Sequence, residues 1–240
     1  MSALLKITDL WGGYTKDVDI LRGISMEVSQ GEAVGIIGLN GSGKSTFGKA
    51  IMNMIPIRRG SIEWKGKHIE RLSTHQLSEQ GLAIMQQGGR VFPNLSVWEN
   101  LELALSEDKC NLLFDQLRII IPLLQSSKRE LQYKMADKLS GGQKHQLALA
   151  MTLATNPSLI ILDEPSAGLS PKAVENMYEL IHTARTKMGI TIILIEQNIA
   201  KAVDFCDCSL LLQQGNISER FTSKTLSDIE LLMFNKQKDV

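Results

Sequence analysis

The sequence predicts an α/β fold, a mostly parallel sheet interrupted by a small helical lobe, on three observations. Leu159 to Leu162 and Thr191 to Ile195 are continuous apolar runs of the buried-strand kind. They flank a helical stretch from about Pro171 to Lys187, and a strand–helix–strand unit implies parallel pairing. Between about Val97 and Lys138 the period changes. There Leu101, Leu105, Leu112, Leu113, Leu117, Ile120, Leu123 and Leu124 recur at helical spacing with charges between them.

The first third alternates short apolar runs with turns. Leu4 to Leu10, Ile20 to Val28, Ala33 to Gly38 and Ser61 to Trp64 read as strands. A helix is expected from Gly43 to about Met54, stopped by Pro56. No internal repeat, low-complexity tract or linker breaks the chain.

Composition narrows the function classes. The 240 residues are 43% hydrophobic and 22% charged, an ordinary globular balance. Lys+Arg and Asp+Glu are both 26, so no basic excess draws the chain to nucleic acid or anionic lipid. Three cysteines are too few for a disulfide framework, and Cys206 and Cys208 form a C-x-C without a second pair at metal spacing. Met1 to Leu10 lacks the pattern of a secretory signal, and no apolar run approaches the roughly 18 residues of a membrane span. The expectation is a cytosolic chain that reaches a membrane only through a partner.

The chemistry begins where the strand at Ala33 to Ile37 runs into Gly38-Leu39-Asn40-Gly41-Ser42-Gly43-Lys44-Ser45, followed by Thr46. This matches G-x-x-x-x-G-K-[ST] at every fixed position and in the strand–loop–helix setting the motif needs. Glycines let backbone N–H groups curl around phosphate oxygens, and the following helix points its positive end at the same anion. Lys44 supplies a point charge between the β- and γ-phosphates, and the Ser45 hydroxyl is a ligand for Mg²⁺. A nucleotide site follows.

A second element is Leu159-Ile160-Ile161-Leu162-Asp163-Glu164, a buried strand ending in two acids at the edge where α/β sheets bind ligands. Asp163 is the candidate for Mg²⁺, directly or through water, and Glu164 for the general base that polarises the attacking water. A third is Leu139-Ser140-Gly141-Gly142-Gln143, ahead of the apolar-periodic stretch Leu147 to Leu153. Ser140 is a natural N-cap, and Gly141 and Gly142 open backbone N–H groups to an anion. One chain rarely needs two γ-phosphate cradles, whereas two chains head to tail would use both.

In that order, Gly38–Ser45, Leu139–Gln143 and Leu159–Glu164 resemble the ATP-binding cassette of ABC transporters, over nearly the whole chain. The resemblance implies one ABC ATPase domain spanning residues 1–240. It would have a phosphate-loop core, an antiparallel β subdomain, and a helical subdomain at about 90–155. It implies ATP and Mg²⁺ as cofactors, with ATP sandwiched between two subunits, equal or different. Ser140, Gly141, Gly142 and Gln143 of one subunit would close on the phosphates held by Lys44 of the other. The partners implied are membrane permease subunits, with the chain cytoplasmic on the inner face of the membrane and no nucleic acid involved. Tyr14 resembles the aromatic that stacks on adenine. Gln87, five residues before Phe92, resembles the glutamine that contacts Mg²⁺ and the attacking water, with Gln86 the competing choice. Ser166 to Ser170 resemble the loop that crosses the dimer interface.

One position departs from the family pattern. Glu196-Gln197-Asn198 puts Gln197 where most of these ATPases carry a His. Glutamine donates a hydrogen bond to phosphate but carries no proton or positive charge at neutral pH. Gly89 to Leu95, Glu99 to Leu101, Ser166 to Pro171 and Glu196 to Asn198 resemble the branched-chain amino-acid importer ATPases, with urea and amide importers sharing the pattern. Gln87, Gly89 and Trp98 depart from that subfamily. Two alternatives stay open: a non-transport ABC ATPase acting in DNA repair or translation, and a degenerate regulatory cassette that binds ATP and barely hydrolyses it.

Overall fold

The computed structural model describes residues 3–15, 17–105 and 110–222, with the backbone alone at Arg58, Cys110 and Asn111. In chain order the elements are β1 (Leu5–Gly12), β2 (Leu21–Val28), β3 (Ala33–Ile37), α1 (Lys44–Ile51), β4 (Ile57–Trp64), β5 (Lys67–His68) and α2 (Thr74–Glu79). Then come β6 (Leu82–Met85), α3 (Val97–Glu102), α4 (Cys110–Ile120), α5 (Lys128–Tyr133), α6 (Gly141–Ala154), β7 (Leu159–Asp163) and α7 (Pro171–Met188). The last of the described elements are β8 (Thr191–Glu196), α8 (Ile199–Phe205), β9 (Cys208–Gln213) and β10 (Asn216–Phe221). These residues fall into two compact units, one from Met1–Leu77 with Thr191–Val240 and the other from Ser78–Ile190.

The first unit holds two sheets. One is antiparallel, in the order β2-β1-β4-β5. Its strands alternate as half-buried strands do: in β1, Leu5 and Ile7 are buried while Lys6 and Thr8 are exposed. In the other, β3 runs parallel to both β8 and β9, and β10 closes the edge antiparallel to β9. Every residue of β3 and β8 is buried, as their unbroken apolar runs require. Ala202 of α8 packs with Ile37, Leu211 and Phe221 on this sheet.

Three details of the first unit differ from the sequence expectation. Helix α1 ends at Ile51, short of Met54, because Asn53 turns left-handed (φ 51°). Its side-chain amide donates to the carbonyls of Ile69 and Leu72, which fixes that cap before Pro56 is reached. Strand β4 consequently starts at Ile57, four residues ahead of the expected Ser61. Strands β9 and β10 were not foreseen at all. They meet in a two-residue turn, Gln214 (φ 47°) and Gly215 (φ 82°), the left-handed pair a tight hairpin demands.

The second unit pairs β6 with β7 in parallel and surrounds them with helices. Three of its helices start on capping boxes: Ser96 with Glu99 at α3, Ser127 with Glu130 at α5, and Ser140 with Gln143 at α6. Helix α7 opens with Pro171 in its first turn and stops at Gly189 (φ 66°). Among the described residues the helical stretch 97–138 consists of α3, α4 and α5 with 3₁₀ turns at Pro122–Gln125 and Ala136–Lys138. Trp98 is their hub. Its buried ring meets Phe114 edge-on at 5.0 Å, and the Lys128 ammonium lies 4.0 Å from it. Leu101, Leu113, Leu117, Ile120, Leu123 and Leu124 are buried as the spacing predicts, but Leu112 is 73% exposed. Leu113, Phe114, Leu117 and Ile120 share one face of α4, and at about 100° per residue Leu112 falls roughly 140° from its middle, towards solvent.

Candidate functional site

In the first unit the site residues are delivered by register. β3 pairs with β8 through Ile37 and Glu196, so Gly38 and Gln197 leave the sheet side by side at its C-terminal edge. Ligands bind α/β sheets at that edge. Gly41 (φ 81°) and Gly43 (φ 105°) both take the left-handed backbone that curls the loop. Gly43 is the N-cap of α1 and offers no side chain to its first turn, leaving those N–H groups to an anion. Lys44 is 5% exposed, and its ammonium donates to the carbonyls of Gly38 (2.8 Å) and Leu39 (3.0 Å). The charge is therefore folded back onto the loop that it shapes. Thr46 is buried and Ser45 half-buried behind it, while Asn40 stands exposed on the loop. The Ser42 hydroxyl oxygen is buried without a hydrogen-bond partner among the described residues. An orphaned hydroxyl, an uncapped helix start and a buried ammonium make a cradle that fits a polyphosphate.

The β9–β10 hairpin braces that loop, and sequence reasoning missed it. Gly215 donates its N–H to the Ser42 carbonyl (2.9 Å) and accepts from the Arg22 N–H (2.8 Å). A Cβ on Gly215 would lie 1.9 Å from the Ile20 carbonyl oxygen, so only glycine fits. The available signal was the apolar run Leu210 to Leu212 followed by Gln-Gly. Tyr14 is 51% exposed beside α1, with Lys49 Nζ 5.5 Å from its ring centroid and 3.3 Å from its hydroxyl. Gln197 is exposed. Its N–H and that of Asn198 donate to the buried Glu196 carboxylate (3.2 and 3.3 Å), which sets the turn after β8.

In the second unit, register again places the chemistry. β6 and β7 pair in parallel with Met85 opposite Leu162, so two residues further on Gln87 faces Glu164. The Gln87 side-chain amide donates to Glu164 Oε2 at 2.6 Å. Gln86 is half-buried and Gln87 exposed. Asp163, the last residue of β7, is buried. Glu164 takes φ 47°, a left-handed backbone that costs a non-glycine residue about 1–2 kcal/mol. Such strain persists where the surroundings enforce it and gathers at working sites.

The pentapeptide lies in the same unit. Ser140 Oγ accepts from the Gln143 N–H (3.3 Å), and Gln143 Oε1 accepts from the Ser140 N–H (3.1 Å). The Ser140 hydroxyl hydrogen is left to donate elsewhere. Ser140 and Gly141 are exposed, and a Cβ on Gly141 would meet nothing within 4 Å among the described residues. Intrachain packing does not demand glycine there.

The model of the ABC transporter family matches residues 21–167, which spans the phosphate loop, the pentapeptide and the acid pair. The chain belongs to the ABC transporter family. It is an ATP hydrolase, the ATPase chain of such a transporter, as the fold and the three motifs together require. It is 32% identical over 216 residues to the high-affinity branched-chain amino acid transport ATP-binding protein BraG of Pseudomonas aeruginosa, covering 89% of this chain and 91% of the relative. It is 31% identical over 227 residues to the probable branched-chain amino acid transport ATP-binding protein LivF of Archaeoglobus fulgidus, covering 95% of each. The lipopolysaccharide export system ATP-binding protein LptB of Escherichia coli K12 is 28% identical over 208 residues, 82% of each chain. Among solved structures, cbiO1 from Clostridium perfringens, part of the ABC transporter complex cbiONQ, superposes with a TM-score of 0.82 at 26% identity. That match covers 100% of this chain and 96% of cbiO1. No helix among the described residues is long and apolar enough to cross a membrane.

The oxygen donors at hand suit magnesium. Each unit carries hard oxygen donors of the kind Mg²⁺ takes in phosphate sites: the Ser45 hydroxyl in the first, the Asp163 carboxylate and the Gln87 amide in the second.

Proposed function

We propose that this chain energises an importer of branched-chain amino acids or a related small polar solute. The observation that carries the reading is likeness to two branched-chain amino acid ATP-binding proteins over 89–95% of the chain. The similar likeness to an export ATPase makes the cargo and direction the part to test. We take residues 1–240 as one ABC ATPase domain, with its helical subdomain at about 90–155.

In the mechanism, Tyr14 stacks on adenine, and the loop Gly38, Asn40, Gly41, Ser42, Gly43, Lys44, Ser45 and Thr46 holds the phosphates. Ser45 and Asp163, with Gln87, would hold Mg²⁺, which when bound would supply positive charge against the β- and γ-phosphates. Glu164 takes the proton of the attacking water, and Gln197 donates a hydrogen bond to the γ-phosphate. Ser140, Gly141, Gly142 and Gln143 close on the nucleotide of a second ATPase subunit, so ATP favours the closed pair and hydrolysis releases it. The helical subdomain passes this change to a membrane permease, the chain's contact with the membrane on its cytoplasmic side.

The exposed, unpacked Gly141 beside the half-buried Gly142 supports a partner at that surface. Co-purification of the full chain with membrane subunits, followed by solute-stimulated ATP turnover in reconstituted vesicles, tests the reading. Stimulation by leucine, isoleucine or valine supports it; association with an export assembly overturns it. Gln197 in place of His favours one second reading, a regulatory cassette, which turnover below that of a catalytic partner would support.

A further inference from the structure

We propose that His145 is a positioning residue that ties the first turn of α6 to the turn behind Gln87. Its imidazole is 6% exposed, so it belongs to the interior of its unit. Nδ1 lies 2.9 Å from the Gly141 carbonyl, which can only accept, so Nδ1 carries the ring proton. The ring is thereby clamped to the residue that follows Ser140. The same Cγ–Nδ1 edge and the His145 Cα abut the buried Gly89, where an added Cβ would sit 2.9 Å from both Cγ and Nδ1 and 3.1 Å from Cα. Gly89 (φ 57°) and Gly88 (φ 88°) form a left-handed pair immediately after Gln87. Gln87 in turn holds Glu164 at 2.6 Å.

These contacts make one continuous path within a single unit: Glu164, Gln87, the Gly88–Gly89 turn, His145, Gly141, Ser140. Its Nε2 is buried without a hydrogen-bond partner among the described residues. An unmet buried acceptor lowers stability, so stability alone is a poor reason for an imidazole here. A flat ring with a donor at the Nδ1 position meets both demands at once, abutting Gly89 and bonding back to Gly141. Moving Gln87 thus tilts the ring, and the ring moves the start of α6. The consequence for turnover rests on the ATPase reading above; the tie itself does not.

The test uses the full chain and its His145→Ala, Gly89→Ala, doubly substituted and His145→Phe forms. Hydrogen exchange over residues 85–91 is read without nucleotide, beside the thermal midpoint, and ATP turnover is read separately. His145→Ala should raise exchange at the turn about tenfold over that of β7, with little change in midpoint. It should lower kcat about tenfold while KM for ATP stays within about twofold. The double form should be no worse than the poorer single form, because both substitutions act on one contact. His145→Phe keeps the ring on Gly89 and removes the donor to Gly141. It should leave the turn protected yet still lower kcat, and it serves if the alanine form does not fold. Parental exchange at 85–91 in His145→Ala, or parental kcat in His145→Phe, overturns the proposal. So does exchange rising equally across β7 with a fallen midpoint, since His145 would then be only a core residue. Raised exchange at the turn in His145→Ala, with a parent chain that hydrolyses no ATP, would overturn the ATPase reading and leave the tie standing.

Discussion

The Gln87 amide donates to the Glu164 carboxylate at 2.6 Å, and the parallel register of β6 on β7 is what brings them together. The contact is charge-assisted and occupies one oxygen of the carboxylate. Glu164 is held from the side by Gln87 and from below by its own left-handed backbone.

Gln87→Ala removes that hold. Hydrogen bonds to charged groups contribute about 1.5–3 kcal/mol, so kcat should fall about tenfold or more, with ATP affinity little changed. Gln86→Ala, at the neighbouring half-buried position, should stay within about twofold by the same measure. Steady-state kinetics on both forms separates them.

Tyr14→Ala should weaken ATP binding about three- to tenfold, the worth of one aromatic stacking contact. Tyr14→Phe, which keeps the ring and loses only the hydroxyl near Lys49, should bind as the parent does. Nucleotide titration reads both. Equal affinity in all three forms would make Tyr14 a surface residue beside α1.

Gly215→Ala should disturb the phosphate loop from behind. Its Cβ would press on the Ile20 carbonyl and displace the N–H that holds Ser42. ATP affinity should drop about tenfold or more, beyond the left-handed backbone cost of about 1–2 kcal/mol in stability. Gly66→Ala is the control, since Gly66 shares the positive φ (75°) and meets nothing within 4 Å. It should lower stability by a similar amount and leave ATP affinity alone.

Trp98→Ala should lower the unfolding free energy by about 3–5 kcal/mol, the cost of emptying a large buried aromatic site. Lys128→Gln should cost about 1 kcal/mol through the lost cation–π contact. Denaturant unfolding measures both.

The sequence made the phosphate loop, the acid pair and the capped start of α6 legible, because each joins a local signal to a neighbouring strand or helix. Gly38 to Ser45 needs its preceding strand and its following helix, and both are encoded within a few residues. The Gln87–Glu164 contact was half legible. The residues stood out, but their meeting depends on a strand register that Leu82 to Met85, only four residues long, is too short to announce. The rest was hidden for physical reasons. Asn53 ends α1 through carbonyls of Ile69 and Leu72, sixteen and nineteen residues away. Gln214-Gly215 is a weaker hairpin signal than Asn-Gly, so β9 and β10 went unread. His145 reads as one more residue of a helix until Gly89 is found beneath it.

Glu164→Gln tests the central claim most directly. It keeps shape and hydrogen bonding while removing the base, so ATP turnover should fall about a hundredfold or more, with ATP affinity close to parental. The ATP-bound form of this variant should accumulate as a closed pair of subunits. Turnover at the parental rate would contradict the account.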